Sequence, residues 1–390
     1  MKNYNLKVAN DLGSNEQKII INGELIIQPN IYAKVRYPPR LLEIVSIRGN
    51  LNDKLIVRIN SSALNDDINE CCYFIGKQAM ESGYPYYNTH ILDTESIVDS
   101  KISVINTVAH IAAYVAKQSC NDSIGNVSIR ADAEMVTALP GNQYKEAELF
   151  SSKFTSGVHR IEVITSLSKS IYVDIYFSNV KTMLKGVSSM FYIQGLTDED
   201  ILFKELTKVV GSKVDKSYFE NKRILHCIIG DGTTDFSITS KDSFTNICSL
   251  QNGIGHAIER ILNDFRYANI LPSKFTRQDF YLAIRDAGHK YNYKATKALK
   301  HQIEWEFHSI FSVLERIVTE NKKYIDLIMV YGGGSILIKN YFNNGLSKLE
   351  KVTGIKSFIL SEKNAVTIEV KGMYSLVNSS VIRENNFNNY

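Results

Sequence analysis

A two-lobed α/β protein, each lobe a mixed sheet flanked by helices, is the fold class predicted by three features of this 390-residue chain. Two glycine-tipped hairpins carry aspartates, Asp11 and Asp231, that stand 220 positions apart. A buried strand runs straight into three consecutive glycines, and helical periodicities separate the strand-like runs. The length is enough for two domains that each bury a core. A hydrophobic fraction of 44% and a charged fraction of 22% are those of an ordinary globular chain. A net charge of +4 dispersed over the whole length argues against direct nucleic-acid binding. The five cysteines show neither a disulfide framework nor zinc-ligand spacing, and they read as reduced thiols of a cytoplasmic protein. The start, Met1-Lys2-Asn3-Tyr4-Asn5, has no apolar signal region, and no window is long and apolar enough to span a membrane.

The first hairpin to stand out is Ile224–Ile238, an apolar run that enters Gly230-Asp231-Gly232-Thr233-Thr234-Asp235 and leaves as a second strand. Glycines let backbone amides approach an anion closely. Asp231 and Asp235 place carboxylates where a phosphate-bound Mg2+ would find oxygen ligands. The second copy is Leu6–Gly23, where a strand reaches Asp11-Leu12-Gly13-Ser14-Asn15 and resumes as Ile19-Ile20-Ile21. Here Asp11 is placed to hold a metal-bound water. The amides of Gly13 to Asn15 and the Ser14 hydroxyl suit phosphate, and Lys18 supplies a cation. Either hairpin alone could be an ordinary surface turn; the pair suggests a duplicated architecture whose halves close on one nucleotide.

Along the chain, Leu25–Ile27, Leu41–Ile47, Lys54–Ile59 and Cys72–Ile75 read as strands, and Lys101–Ser119 as a helix with Ile102, Ile105, Val108, Ala109, Ala112 and Val115 on one side. Val127–Ile129 and Met135–Pro140 read as strands and Lys145–Lys153 as a short helix. Arg160–Ser166 with Ser170–Asn179 reads as a hairpin, and Val180–Ile193 as a strand end plus a helix. Leu196–Lys222 reads as a charged surface excursion. Past the 224–238 hairpin come a loop, a helix at Gly253–Arg266, a polar helical region at Phe275–Lys300 and a helix at Gln302–Thr319. His226 reads as a satisfied core histidine, His256 as a helix-surface residue and Trp305 as a packing residue. The chain closes with the strand Leu327–Val330, a glycine turn, a helix, strands near Ser357–Leu360 and the polar tail Asn378–Tyr390.

Gly332-Gly333-Gly334-Ser335 follows the strand Leu327–Val330. Bare glycine backbone at a strand's C-terminal end suits a purine face, and the helix start beyond it favours anions; close strand–helix packing is the alternative. Gly253 and Gly255 supply another glycine pair before a helix, suited to a ribose or base edge.

Taken together, Asp-x-Gly-Ser with a downstream lysine, Gly-Asp-Gly-Thr-Thr-Asp and Gly-Gly-Gly-Ser, in this order and at these separations, resemble the actin-like ATPases. Within that superfamily the chain looks most like the bacterial plasmid-segregation actins, the ParM and Alp group. Phe74-Ile75-Gly76-Lys77-Gln78-Ala79, Thr137-Ala138-Leu139-Pro140 with Tyr144, and Asn364-Ala365 through Gly372-Met373-Tyr374 are similar to segments of that group. The resemblance implies an actin-like fold of two lobes, each with a ribonuclease-H-like mixed sheet flanked by helices, with the nucleotide in the interlobe cleft. Lobe I would span 1–195, with a small inserted subdomain about 24–100. Lobe II would span 196–390, with a small helical subdomain about 270–305.

Carried over by position, the resemblance assigns Asp11, Gly13, Ser14, Asn15 and Lys18 to the first phosphate loop and Gly230, Asp231, Gly232, Thr233 and Thr234 to the second. Gly253, Gly255, Gly332, Gly333, Gly334 and Ser335 would line the nucleoside. Asp11 and Asp231 are the metal candidates and, with Lys185, the catalytic ones. Two departures stand out: Ile228 occupies a position usually taken by aspartate, and Lys185 occupies the position of the Glu or Gln that orients the attacking water. The resemblance further implies a nucleoside triphosphatase using ATP or GTP with Mg2+. It would self-assemble into filaments and drive plasmid DNA segregation through a DNA-binding adaptor of the ParR type, touching plasmid DNA only indirectly and no membrane. A small-molecule, sugar-type kinase of the same superfold, a chaperone-type ATPase and a non-segregating cytoskeletal scaffold are the alternatives. The kinase lacks a carboxylate motif for its base, and the chaperone lacks a peptide-binding domain.

Overall fold

The computed structural model describes residues 2–36, 49–64, 71–89, 91, 96–119, 127–166, 169–197, 200–240, 243–268, 270–272 and 274–379. They fall into two compact units. The first is drawn from Met1–Leu139, Gln143–Met183 and Met373–Ile382, the second from Pro140–Asn142 and Leu184–Gly372.

Unit 1 is built on one ten-stranded sheet. In chain order its elements are β1 (Lys2–Leu12), β2 (Glu16–Ile21), β3 (Glu24–Pro29), β4 (Ile31–Val35), β5 (Ile56–Asn60), β6 (Cys72–Ile75), α1 (Lys77–Glu81), β7 (Tyr87–Asn88), α2 (Lys101–Ser119), β8 (Val127–Leu139), α3 (Ala147–Thr155), β9 (His159–Ser166) and β10 (Lys169–Leu184). The strand order is β3-β2-β1-β8-β10-β9-β5-β6-β4-β7. β1 pairs parallel with β8, Lys2 opposite Ile129, and antiparallel with β2. β8 is continuous where the sequence suggests two short strands. Its outward residues, Arg130, Asp132 and Glu134, break the apolar run yet keep the period of two, and they are neutralised by one another and by Lys7. α2 has the expected boundaries, but Ile102 through Ala116 are buried all round rather than along one stripe. Its polar members turn inward: Thr107 Oγ1 donates to the Ser103 carbonyl at 2.5 Å and Asn106 Nδ2 to Asn30 Oδ1 at 2.8 Å. The strand expected at Leu41–Ile47 lies outside the described residues.

Unit 2 carries α4 (Val187–Gly195), α5 (Ile201–Val210), α6 (Lys216–Glu220), β11 (Ile224–Ile229), β12 (Thr234–Thr239), β13 (Phe244–Leu250), α7 (Ile254–Tyr267), α8 (Arg277–Arg285), α9 (Asn292–Asn321), β14 (Leu327–Tyr331), α10 (Gly333–Leu337), α11 (Lys339–Thr353), β15 (Lys356–Ile359) and α12 (Glu362–Val377), whose last turns enter unit 1. The five-stranded order β13-β12-β11-β14-β15 is antiparallel through the first three strands and parallel from β11 to β15. β13 replaces the expected loop. Leu196–Lys222 is not an excursion: α5, capped by Asp200 accepting from the Leu202 amide at 2.8 Å, buries Leu202, Phe203 and Leu206. α9 begins ten residues earlier than the expected helix start at Gln302. Its buried stripe runs Ala295, Leu299, Ile303, Glu306, Ile310 and Leu314, so Trp305 falls off it and is 75% exposed rather than packed. No helix of the described residues is long and apolar enough to cross a membrane.

Candidate functional site

In unit 1 the turn between β1 and β2 is closed by the Gly13 amide donating to the Glu16 carbonyl at 3.1 Å. A Cβ on Gly13 would stand 2.6 Å from that same oxygen, so glycine is required for the tight turn. Asn30 pins the turn from the side: its amide donates to the Asn15 carbonyl and its Nδ2 to the Gly13 carbonyl, both at 2.9 Å. Asp11 and Lys18 are cross-strand partners in the β1–β2 register and both are buried. Among the described residues Lys18 makes no ion pair, although only 8% of it is exposed. An ammonium so placed has lost water without gaining a carboxylate, an arrangement that favours an anion. Beneath the loop, Gln17 Nε2 donates to Asn10 Oδ1 and Asn10 Nδ2 to Thr107 Oγ1, each at 2.8 Å, a buried polar floor anchored on α2.

In unit 2 the β11–β12 turn is built the same way, with the Gly230 amide donating to the Thr233 carbonyl at 2.8 Å. The start of α7 folds onto this loop, its Ile254 and Gly255 amides donating to the carbonyls of Gly230 (3.1 Å) and Asp231 (2.9 Å). Gly253 permits that approach, because a Cβ there would lie 2.5 Å from the Asp231 carbonyl oxygen. His256 is buried rather than on the helix surface, and its Nε2–H donates to the Gly232 carbonyl at 3.0 Å. Desolvation lowers its pKa.

The carboxylate of Asp231 is committed to α8. Its Oδ2 pairs with Arg277 Nε at 3.0 Å and its Oδ1 accepts from the Tyr281 hydroxyl at 2.5 Å. Arg277, 1% exposed, also reaches Glu259 Oε1 at 3.1 Å. Burial, with the Asp231 charge beside it, pushes the Tyr281 phenol well above its ordinary range, so it stays a donor. Asp231 therefore does not fit the metal-ligand role expected from the sequence. Asp235 is equally engaged, accepting from the Gly141 amide (3.2 Å), Thr233 Oγ1 (2.9 Å) and Ser249 Oγ. Among the described residues no cluster of three His, Cys, Asp or Glu side chains could hold a metal. Asp11, buried and opposite Lys18 in the β1–β2 register, is the other carboxylate of the expected metal pair.

Tyr281 also lines a cavity of ≈790 Å³ within unit 2, walled by Ile284, Arg285, Tyr293, Lys297, Leu299 and Ile303 of α8 and α9 and by Gly333, Ile336, Asn340 and Tyr341 of α10 and α11. Apolar surface in this wall alternates with polar and charged side chains, Asn292, Thr296, Lys300 and Glu362 among them, the mixture that can both bury and orient a small molecule. The three glycines separate by role. Gly332, at φ +96°, and Gly334 pack against the backbone of Ile229 and Gly230, whereas a Cβ on Gly333 would meet nothing within 4 Å. Gly333 alone of the three lines the cavity, and the Ser335 hydroxyl donates inward to the Gly332 carbonyl at 2.8 Å. Sequence reasoning missed Arg277, Tyr281 and the α9 wall; the Tyr281–Arg285 spacing on one helix face was the available signal.

Lys185 is half-buried in the turn between β10 and α4. The next residue, Gly186 (φ +97°), donates its amide to Glu369 Oε2 at 3.1 Å. Glu369 also accepts from Ser188 Oγ at 2.6 Å and from the Tyr331 hydroxyl at 3.0 Å. His226 belongs to the same buried network, with Nε2 2.7 Å from Thr239 Oγ1 and Nδ1 3.2 Å from the Tyr331 hydroxyl. Desolvation drops its pKa to about 3, so it is neutral, a satisfied core histidine as expected.

No family model matches the chain, and no curated protein does. Solved structures do match it. A 15-stranded ParM filament from Clostridium botulinum is 16% identical at a TM-score of 0.68, over 96% of this chain and 99% of that one. The actin-like protein Alp7A is 16% identical at a TM-score of 0.61, over 97% of each chain. ParM of Bacillus thuringiensis, solved with ATP, is 15% identical at 0.57, over 96% and 98%. The chain has the actin-like fold.

The motif-based expectation of that fold is thus met by the backbone as a whole, although so little of the sequence is shared. In the actin-like fold of this chain both glycine hairpins are strand–turn–strand units at the ends of β1 and β11.

Proposed function

We propose that this actin-like chain binds ATP or GTP and hydrolyses it. The base and ribose occupy the unit 2 cavity, and the hairpin loops of Gly13–Asn15 and Gly230–Thr233 bind the phosphates. The observation that carries this reading is the position of Tyr281. One side chain both walls a cavity roomy enough for a nucleoside and holds Asp231 of the glycine-tipped β11–β12 turn. In this assignment the loop amides and Lys18 neutralise phosphate charge. Mg2+, held by Asp11 and the phosphates, would supply further charge neutralisation. Asp231 positions the second loop and touches no metal. Lys185, carried on a turn that Glu369 fixes, stabilises the terminal phosphate. The glycines 332 and 334 set the distance between α10 and the loop, and Gly333 faces the base.

The relatives extend the reading to assembly. One is described as a filament, and the others are ParM and Alp7A proteins. We infer that this chain forms nucleotide-dependent filaments and, as a plasmid-segregation actin, moves DNA through a DNA-binding adaptor of the ParR type. A head-to-tail, non-closing contact is what such a polymer requires. Titration calorimetry with ATP, GTP and ADP, followed by phosphate release, tests the first part. The reading expects binding of at least one triphosphate and slow phosphate release. No binding of either triphosphate at millimolar concentration would reject it.

A further inference from the structure

The loop between β1 and β2 is gripped by a residue outside both of its strands. Asn30, buried between β3 and β4, reaches it twice: its backbone amide donates to the Asn15 carbonyl and its Nδ2 to the Gly13 carbonyl, both at 2.9 Å. The turn does not need these bonds to close, since the Gly13 amide already donates to the Glu16 carbonyl. What they fix is the orientation of its peptide planes. A peptide unit is planar and trans, with C=O and N–H pointing opposite ways, so holding a carbonyl also aims the next amide. Asn30 therefore sets the 13–14 and 15–16 planes and turns the N–H groups of Ser14 and Glu16 away from itself. The plane between them, which carries the Asn15 N–H, is held at both ends.

The side chain of Asn30 is itself oriented. A carbonyl can only accept, so the Asn30 nitrogen must face Gly13 and its Oδ1 must face the other way. There it accepts from Asn106 Nδ2 on α2 at 2.8 Å. The next residue of α2, Thr107, accepts through Oγ1 from Asn10 Nδ2 at 2.8 Å, and Asn10 accepts from Gln17 on the opposite strand of the hairpin. Two neighbouring side chains of one helix thus hold the tip and the base of the hairpin. Asn10, Gln17, Asn30, Asn106 and Thr107 are all buried, where a broken hydrogen bond is not replaced cheaply. We infer that Asn30 is a positioning residue for triphosphate binding, aiming the amides of the first phosphate loop, and that Asn106 orients it. This rests on the nucleotide reading above and extends it to residues that act through the loop.

Titration calorimetry of the purified full chain with ATP and GTP, and with the matching nucleoside by competition, tests the assignment. Asn30→Ala removes the bond to the Gly13 carbonyl and should weaken triphosphate binding about fivefold, the weight of one neutral hydrogen bond, while nucleoside binding stays unchanged. Asn106→Ala leaves both contacts to the loop and removes only the group that orients Asn30, so the same selective loss should be roughly threefold. Circular dichroism checks the fold of each variant; if Asn30→Ala does not fold, Asn106→Ala decides alone. A merely structural role would lower the urea midpoint and weaken triphosphate and nucleoside alike. That result, or wild-type triphosphate affinity in the folded variants, would overturn the assignment and leave the nucleotide reading standing. A wild-type chain that binds neither triphosphate would reject the nucleotide reading and this inference with it.

Discussion

Replacing Arg277 by methionine removes the one cation that, among the described residues, pairs with Asp231 and so ties the β11–β12 turn to α8. Arg277 is 1% exposed, and the carboxylates it pairs with, Asp231 and Glu259, have side chains 9% and 18% exposed. Methionine fills similar volume, so the loss is chiefly electrostatic. It leaves the buried Asp231 carboxylate, 9% exposed, with the Tyr281 hydroxyl as its side-chain donor among the described residues. Breaking a buried pair from one side costs about 3–5 kcal/mol. Urea denaturation followed by circular dichroism reads this as a lower midpoint at unchanged slope. Tyr281→Phe, which deletes one hydrogen bond to a charged group, should cost about 1.5–3 kcal/mol. Asp231→Asn in the Arg277→Met background should recover part of the loss, giving a coupling energy above about 1.5 kcal/mol. An Arg277→Met cost below about 1 kcal/mol, with additive double mutants, would refute the clasp.

Three further outcomes are expected. Lys18→Met relieves a buried ammonium that has no carboxylate among the described residues, so the ligand-free chain should be no less stable, while triphosphate affinity by calorimetry falls at least about tenfold, the weight of a charge-assisted hydrogen bond; unchanged affinity would remove Lys18 from the site. Gly332→Ala, at φ +96° and against the Ile229 carbonyl, should cost more than about 1 kcal/mol, whereas Gly333→Ala should leave the melting temperature alone and weaken nucleoside binding; the reverse order would contradict the cavity assignment. His110 is fully buried, neither ring nitrogen has a hydrogen-bond partner among the described residues, and desolvation holds its pKa at about 4 against an ordinary 6.5. The unfolded chain therefore binds the extra proton between these values, so stability is complete above pH 6.5 and falls toward pH 4 by about 3 kcal/mol, a slope that His110→Leu should flatten in pH-dependent urea titrations.

What could be read from the chain follows from how local the causes are. The hairpin tips were legible because a glycine turn between apolar runs is dictated within a dozen residues. α2 was legible in extent, but not in being buried on all sides, since that depends on which strands surround it. β13 was missed because Thr245 and Asn246 face outward on an edge strand and leave little alternation; its ladder with β12 makes it a strand. The commitment of Asp231 to Arg277 and Tyr281 was not legible, being set 46 and 50 residues away by the packing of α8 on the loop. A sequence motif marks which residue stands at a turn, and only packing shows whether its side chain faces a ligand or the core. For the same reason His256 and Trp305 exchanged places with expectation, the histidine turning in toward Gly232 and the tryptophan out.

The central claim is that this actin-like chain polymerises under nucleotide control, and sedimentation of the purified protein with and without ATP or GTP tests it most directly. The account predicts a pellet that forms with a triphosphate, shows filaments in negatively stained micrographs and does not form without nucleotide. A chain that binds and hydrolyses nucleotide yet stays in the supernatant at high concentration would contradict it.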